Sequence, residues 1–214
     1  MNRLLRLSRP DRGALFVLTG PSGTGKSTLV AHIMASGVDL VFGVSATTRA
    51  PRAHEVDGHH YRFVDDTTFD RLVADNALLE HADVYHHRYG TPRESVLSAL
   101  ERGQSVLLDI DVQGARQVKS SLAEAVTIFV CPPSPQDLRR RLEARGTESA
   151  DVIDRRMKMA QEQLKGAPEF EYLLVNDHLE TAQAVLLGIV LAELHRRGRQ
   201  AVTADRVARM ADSS

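Results

Sequence analysis

Gly20-Pro21-Ser22-Gly23-Thr24-Gly25-Lys26-Ser27-Thr28 is the stretch on which the reading of this chain turns. Its spacing, a glycine, four residues, then Gly-Lys-Ser, is that of a loop that cradles phosphate, and each residue type has a physical task there. Glycines accept positive φ and bring the backbone close to an anion with no Cβ in the way. Successive N–H groups then point inward, and the first turn of the following helix adds partial positive charge. Lys26 is suited to put a compact charge on terminal phosphates, and the Ser27 hydroxyl to ligate Mg²⁺. The flanks agree with this reading. An apolar run with β-branched and aromatic members at 14–18 precedes the loop, and Leu29, Val30 and Ile33 follow at helical spacing. An ordinary glycine-rich strand-to-helix turn is the weaker reading once motif and flanks are taken together.

Outward from that loop, 214 residues suit one α/β core with a small inserted lobe. The 27 basic and 28 acidic side chains nearly cancel, which excludes bulk attraction to nucleic acid or a membrane as the main mode of recognition. The expected substrate is small. A single cysteine, Cys131, rules out an intrachain disulfide framework and suits a reducing, cytoplasmic setting. Residues 1–12 carry Arg3, Arg6, Arg9 and Arg12 and read as a basic extension, with no apolar segment long enough for a signal sequence or a membrane span.

After a helix at 26–35, residues 40–52 read as a short strand ending in a polar, basic loop. Arg49 and Arg52, with Pro51 enforcing an extended backbone between them, are spaced as a two-pronged anion clamp. A turn at 56–58 leads to an alternating, exposed strand at 59–64. A short helix at 67–74 follows, capped by Asp65 or Asp66, with Phe69, Leu72 and Val73 inward. Residues 78–85 read as a strand that ends at 88–92, and Pro92 opens a helix to about Arg102. The run 105–111 is a buried strand ending in Asp109 and Asp111. An acid at the carboxyl end of a central parallel strand suits Mg²⁺ orientation, a role assigned to Asp109, while Asp111 is also placed to cap a helix. An apolar strand at 125–130 stops at Cys131-Pro132-Pro133. Two helices, from Ser134-Pro135 to Gly146 and over 150–165, carry Arg141, Arg145, Arg155 and Arg156; arginine forks suit phosphate oxygens, so the pair reads as a mobile lid. A strand at 172–177, a covering helix at 179–196 and a short helical turn at 202–210 complete the chain.

The nine histidines do not suggest zinc. His59-His60 and His86-His87 are adjacent pairs, and neighbours on a strand point to opposite faces.

With these residues in view, the chain resembles the guanylate kinases over about residues 15–193. The resemblance rests on GPSGTGKST (20–28), VSATTRAPR (44–52), DGHHYRFV (57–64), LLEHADV (78–84) with YGTP (89–92), LLDIDVQGARQV (107–118), LRRRLEARGT (138–147) and YLLVND (172–177). It implies an α/β, three-layer P-loop NTPase fold: a five-stranded parallel core sheet at 13–44 and 93–214, a GMP-binding β lobe inserted at 45–92, and a helical lid at about 134–165. It implies Mg²⁺-dependent transfer of the ATP γ-phosphate to GMP, giving ADP and GDP; no membrane partner is expected, and no nucleic-acid partner is established beyond a weak contact open to the basic extension. By position, Gly20, Pro21, Ser22, Gly23, Thr24, Gly25, Lys26, Ser27 and Thr28 would hold ATP, with Asn176 and Asp177 on the adenine side. Ser45, Glu80 and Thr91 would face guanine. Arg49, Arg52, Tyr61 and Tyr89 would hold the GMP phosphate, and Asp111 would lie beside the nucleotide. Ser27 and Asp109 would serve Mg²⁺. Lys26, Arg52, Arg145 and Arg156 would act in transfer, supported by Arg141.

The Glu80 assignment also has its own chemistry. Guanine presents N1–H and N2–H₂ on one edge, and a carboxylate is an acceptor-only fork that matches both. Adenine would set a lone pair against Glu80. The family usually has a Gly-Asn-Tyr-type turn where this chain reads His86-His87-Arg88-Tyr89, a departure that bears on the local loop but leaves Tyr89, Gly90 and Thr91 in register. A protein-binding module of the same fold would lack the full phosphate-binding set that Lys26, Ser27 and Asp109 provide. A kinase of a ribose bisphosphate would have no use for a guanine-reading trio.

Overall fold

β1 (Leu15–Thr19) is buried from end to end, as a central parallel strand covered on both faces must be. The computed structural model describes residues 12–53, 55–84, 87–144 and 149–196. After β1 come α1 (Lys26–Ala35), β2 (Leu40–Phe42), β3 (Ala46–Thr47), β4 (Arg62–Phe63), α2 (Asp66–Ala74), β5 (Leu78–Val84) and β6 (His87–Pro92). These are followed by α3 (Arg93–Glu101), β7 (Ser105–Asp109), α4 (Val112–Ser121), β8 (Val126–Cys131), α5 (Pro135–Glu143) and α6 (Ala150–Lys165). A 3₁₀ turn (Ala167–Glu169), β9 (Tyr172–Val175) and α7 (Leu179–Leu194) close the sequence of elements.

The core sheet is five-stranded and parallel, in the order β2-β7-β1-β8-β9. Alternate residues of β1 feed its two faces. Phe16 and Leu18 pack with Leu29 and Ile33 of α1 and with Leu186 and Val190 of α7. Leu15 and Val17 pack with Val96 and Leu100 of α3 and with Ala115 and Val118 of α4. Each such side chain contributes roughly 1.5–3 kcal/mol by leaving water. The result is the three-layer α/β architecture expected from the sequence.

A second, four-stranded sheet lies between β2 and α3 in the chain, in the order β4-β3-β6-β5. β3 runs parallel to β4 and antiparallel to β6, which pairs antiparallel with β5. Its small core joins Ala46, Phe69 and Leu78. Here the structure departs from the sequence reading. Residues 40–52 hold two strands in different sheets, β2 and β3, because the chain leaves the core at Gly43. The expected strand at 59–64 shrinks to β4, with Tyr61 bridged to Asp57. The expected strand end at 88–92 is a full strand, β6. In the core, β7 stops at Asp109 because Asp111 turns to cap α4, its carboxylate accepting from the Gly114 N–H at 2.8 Å. β9 likewise ends at Val175, short of Asn176 and Asp177.

α4 joins the two sheets. The Gln117 side chain accepts from the His81 N–H at 3.1 Å and donates to the His81 carbonyl at 2.8 Å, pairing with the edge of β5 as a strand would. The helical pair α5 and α6 is zipped by Leu138, Leu142, Ile153, Met157 and Ala160. Ser134 caps α5 by accepting from the Asp137 N–H at 3.0 Å. Arg145, the basic extension apart from Arg12, His86 and the expected turn at 202–210 lie outside the described residues. Arg12 pairs with Glu124 at 3.2 Å on the surface. Among the described residues, no helix is long and apolar enough to cross a membrane.

Candidate active site

The quoted loop folds as its glycines require. Gly20, Gly23 and Gly25 all take positive φ. A Cβ at Gly25 would come within 2.4 Å of Asn176 Nδ2, so both the dihedral and the space there exclude a side chain. Gly25 is also the N-cap of α1 and supplies no side-chain acceptor, which leaves first-turn N–H groups directed to an incoming anion. Lys26 Nζ donates to the carbonyls of Gly20 (2.6 Å) and Pro21 (3.1 Å), lying along the inside of the loop. Thr24 is wholly buried and donates to the Pro21 carbonyl at 3.0 Å.

The loop forms one wall of a cleft of about 990 Å³. Gly20, Ser22, Gly23, Gly25, Lys26, Ser27 and Thr28 line it on that side; Ser45, Tyr61, Glu80 and Tyr89 line it from the second sheet. Asp109 and Asp111 enter from the end of β7, and Arg156 from α6. Arg156 Nη1 donates to Ser22 Oγ at 3.2 Å, tying the helical pair to the loop. Burial raises the Asp109 pKa while the charge of Lys26 draws it back.

At the far end of the cleft, Glu80 is 3 % exposed and accepts a 2.6 Å hydrogen bond from Thr91 Oγ1. Ser45 Oγ lies 3.3 Å from the same threonine oxygen. The trio expected to face guanine is therefore one hydrogen-bonded chain across β5, β6 and the approach to β3. Burial pushes the Glu80 carboxyl up to about 7; the Thr91 hydroxyl opposes the shift and Asp111 adds to it. Gly114 packs against this carboxylate so closely that a Cβ would stand 2.5 Å from Glu80 Oε2. The altered segment ahead of Tyr89 leaves the register intact: Thr47 faces Tyr89, and Thr91 faces Glu80. Arg88 is drawn outward, 2.6 Å from Asp70 and stacked 4.3 Å above the Phe69 ring.

Other expected residues sit outside the cleft wall. Asn176 is 5 % exposed beneath the loop, where Nδ2 donates to the Thr24 carbonyl at 2.7 Å; in this structure it buttresses the loop from below. Arg141 donates to the Asn176 carbonyl at 2.8 Å and belongs to the same support. Asp177 is exposed and lies beside His178. Arg52 is exposed. Arg49 lies behind Tyr61 and Tyr89: its Nε donates to Tyr89 Oη at 3.3 Å, and its guanidinium carbon stands 5.4 Å from the Tyr61 ring centre. Its strongest partner is Glu55, at 2.8 Å, which sequence reasoning did not single out. Arg49 first, and then the backbone N–H of Arg52, hold the Glu55 carboxyl down to about 2. The three-residue steps Arg49, Arg52, Glu55 were the available signal. Gly114 and Gln117 gave no such signal, since each matters through a contact distant in sequence.

Residues 12–193 match the family model described as "Guanylate kinase". A guanylate kinase of Streptomyces kasugaensis is 49% identical over 189 residues, 88% of this chain and 92% of its own. One from Synechococcus sp. strain CC9311 is 51% identical over 170 residues, 79% of this chain and 90% of its own. The crystal structure of guanylate kinase from Anaplasma phagocytophilum superimposes with a TM-score of 0.72 at 33% identity, covering 89% of this chain and 90% of that one.

Proposed function

This chain belongs to the guanylate kinase family, and from that membership we propose how its cleft carries the ATP γ-phosphate to GMP. The observation that carries the assignment is the Ser45–Thr91–Glu80 chain, set at one end of the cleft whose other end is the phosphate loop. In this reading the loop at 20–28 holds the ATP phosphates and the second sheet holds GMP, so acceptor and donor phosphates meet between them. Glu80 accepts from guanine N1–H and N2–H₂, and Thr91 fixes its orientation. Tyr61, Tyr89, Arg49 and Arg52 gather the GMP phosphate, and Asp111 stands beside the nucleoside.

Phosphoryl transfer needs no covalent nucleophile from the protein. A GMP phosphate oxygen attacks the γ-phosphorus in line, and the chain supplies alignment and positive charge as the group moves. Lys26 accompanies the terminal phosphates. Arg156 of α6 and Arg145, which lies between α5 and α6 in the sequence, complete the cationic surround, with Arg141 and Asn176 keeping the loop in shape. Closure of the pair excludes water, which would otherwise accept the phosphate.

Ser27 and Asp109 suit Mg²⁺: both line the cleft and present the hard oxygens that this ion takes. Bound there, the ion would neutralise β- and γ-phosphate charge. The lid and the second lobe at 45–92 are assigned here as the moving parts.

The test is an ADP-release assay with ATP and Mg²⁺ against GMP, AMP, CMP and UMP. GMP alone should support turnover, and Glu80→Gln should lower kcat/KM for GMP roughly 10- to 100-fold, the cost of one charge-assisted hydrogen bond. A folded protein that binds GMP and transfers phosphate to no acceptor would instead be an interaction module.

A further inference from the structure

The loop between β3 and β4 contains a carboxylate that the transfer chemistry does not use. Glu55 has a side chain only 6 % exposed, and its two oxygens serve different parts of the loop. Oε1 accepts from Arg49 Nη2 at 2.8 Å, and Oε2 accepts from the backbone N–H of Arg52 at 2.8 Å. Its own N–H donates to the Arg52 carbonyl at 2.9 Å, so Glu55 is tied to the Arg52 backbone at both its N–H and its carboxylate. Arg49 is held by four further contacts: Nε to Tyr89 Oη at 3.3 Å, Nη1 to the Ala50 carbonyl at 2.7 Å, and its face towards the rings of Tyr61 at 5.4 Å and Phe63 at 5.9 Å. Three of the five guanidinium N–H donors therefore rest on protein acceptors, and two remain for an anion.

We propose that Glu55 is the positioning residue of the substrate-phosphate cradle, fixing the Arg49 guanidinium in the plane from which it meets the phosphate of the nucleoside monophosphate. The proposal rests on the reading of Arg49 as a phosphate ligand. Its physical basis is that an arginine side chain has many rotamers, and ordering it costs binding energy each time a ligand arrives. A carboxylate that orders it beforehand removes that cost from the binding step. Because the carboxylate is also bonded to the backbone at Arg52, it links the position of one prong of the clamp to the conformation of the segment bearing the other. A neutral amide at 55 keeps the size but loses the charge that aligns the fork, and its N–H₂ would face Arg49 or Arg52 donors. Aspartate keeps the charge on a shorter arm.

The measurement is steady-state kinetics of the full chain with GMP, together with the competitive inhibition constant of guanosine, which has the base but no phosphate. Glu55→Gln should raise KM for GMP roughly tenfold, as loss of one charge-assisted hydrogen bond does, with a smaller effect on kcat. Guanosine inhibition should stay within about twofold, and Glu55→Asp should recover part of the loss. Arg49→Met should raise KM by at least as much, and adding Glu55→Gln to it should change little, because the carboxylate then has no guanidinium to place. A KM that is unchanged or lower in Glu55→Gln, while Arg49→Met raises it, would overturn the proposal and make the ion pair a competitor of the phosphate. A parallel weakening of guanosine would also overturn it, reducing Glu55 to a residue that folds the lobe. If Arg49→Met leaves KM unchanged, the phosphate role of Arg49 falls and this proposal with it, whereas the assignment of the guanine site would stand on Glu80.

Discussion

Glu80 ties specificity to protonation. Burial first, with Asp111 adding to it, lifts its carboxyl to about 7, so near neutrality part of the population carries a proton on the group that must accept from guanine. Below that value one oxygen becomes a donor and faces the donors of the base. The inhibition constant of guanosine should therefore weaken as pH falls through about 7 and level off above it, measured across about pH 5.5 to 8.5 where the base itself keeps one charge state. Stability has the opposite slope. A folded-state pKa above the unfolded value of 4.5 means the folded chain binds this proton more tightly, so the contribution is full below about 4.5 and is lost as pH rises through about 7. Gly114 is the second residue of consequence at this scale. Gly114→Ala would drive a methyl to within 2.5 Å of Glu80 Oε2 and 3.3 Å of Asp111 Oδ1. We expect it to raise KM for GMP and to narrow the ratio of kcat/KM between GMP and AMP by roughly tenfold or more, the size of a displaced hydrogen-bond acceptor. Circular dichroism and ATP affinity should remain those of the parent. An unaltered GMP-to-AMP ratio would show that the carboxylate relaxes around the methyl group.

Among elements, α4 and β5 form the seam on which the cleft depends. The Gln117 amide satisfies the His81 N–H and carbonyl at an edge that would otherwise be open. Gln117→Ala should cost about 1–2 kcal/mol and speed amide exchange along β5 more than along β1, which hydrogen–deuterium exchange would read. Equal exchange in both proteins would mean that water replaces the clamp at no cost. The core was legible because β1, β7 and β8 are continuous apolar runs and α1 follows a glycine-rich loop; local pattern suffices when both faces are buried. β6 was not legible as a strand. His87, Arg88 and Tyr89 are polar or amphipathic, and their strand character comes from pairing with Thr47 and with residues 82–84, which no short window contains. The same holds for β3, two residues long and defined wholly by its neighbours.

For the whole molecule, two sheets, a helical pair and the cleft they border divide the work expected of a phosphotransferase, and residues of the phosphate loop, Glu80, Asp109 and Arg156, all singled out in the sequence, line that cleft. Asn176 and Arg141, expected on the adenine side and in the lid, show what positional transfer leaves out: Asn176 donates to the Thr24 carbonyl of the loop, and Arg141 donates to the Asn176 carbonyl. Asn176→Ala should accordingly act on the loop as a body, raising KM for ATP several-fold and lowering the melting temperature together, since a buried carbonyl at Thr24 loses its donor at roughly 1–3 kcal/mol. A change in KM with no change in melting temperature would return Asn176 to direct nucleotide contact. The seam at α4 also limits how such an enzyme can be rebuilt. A segment corresponding to 45–92, taken from a kinase with another base preference, would leave behind the α4 it was fitted to and meet instead Gly114, which leaves room for the Glu80 carboxylate, and Gln117, which pairs with the His81 backbone. Exchange of specificity by recombination therefore needs crossover points beyond the first two turns of α4, and a graft that stops at residue 92 should inherit the base preference of neither parent.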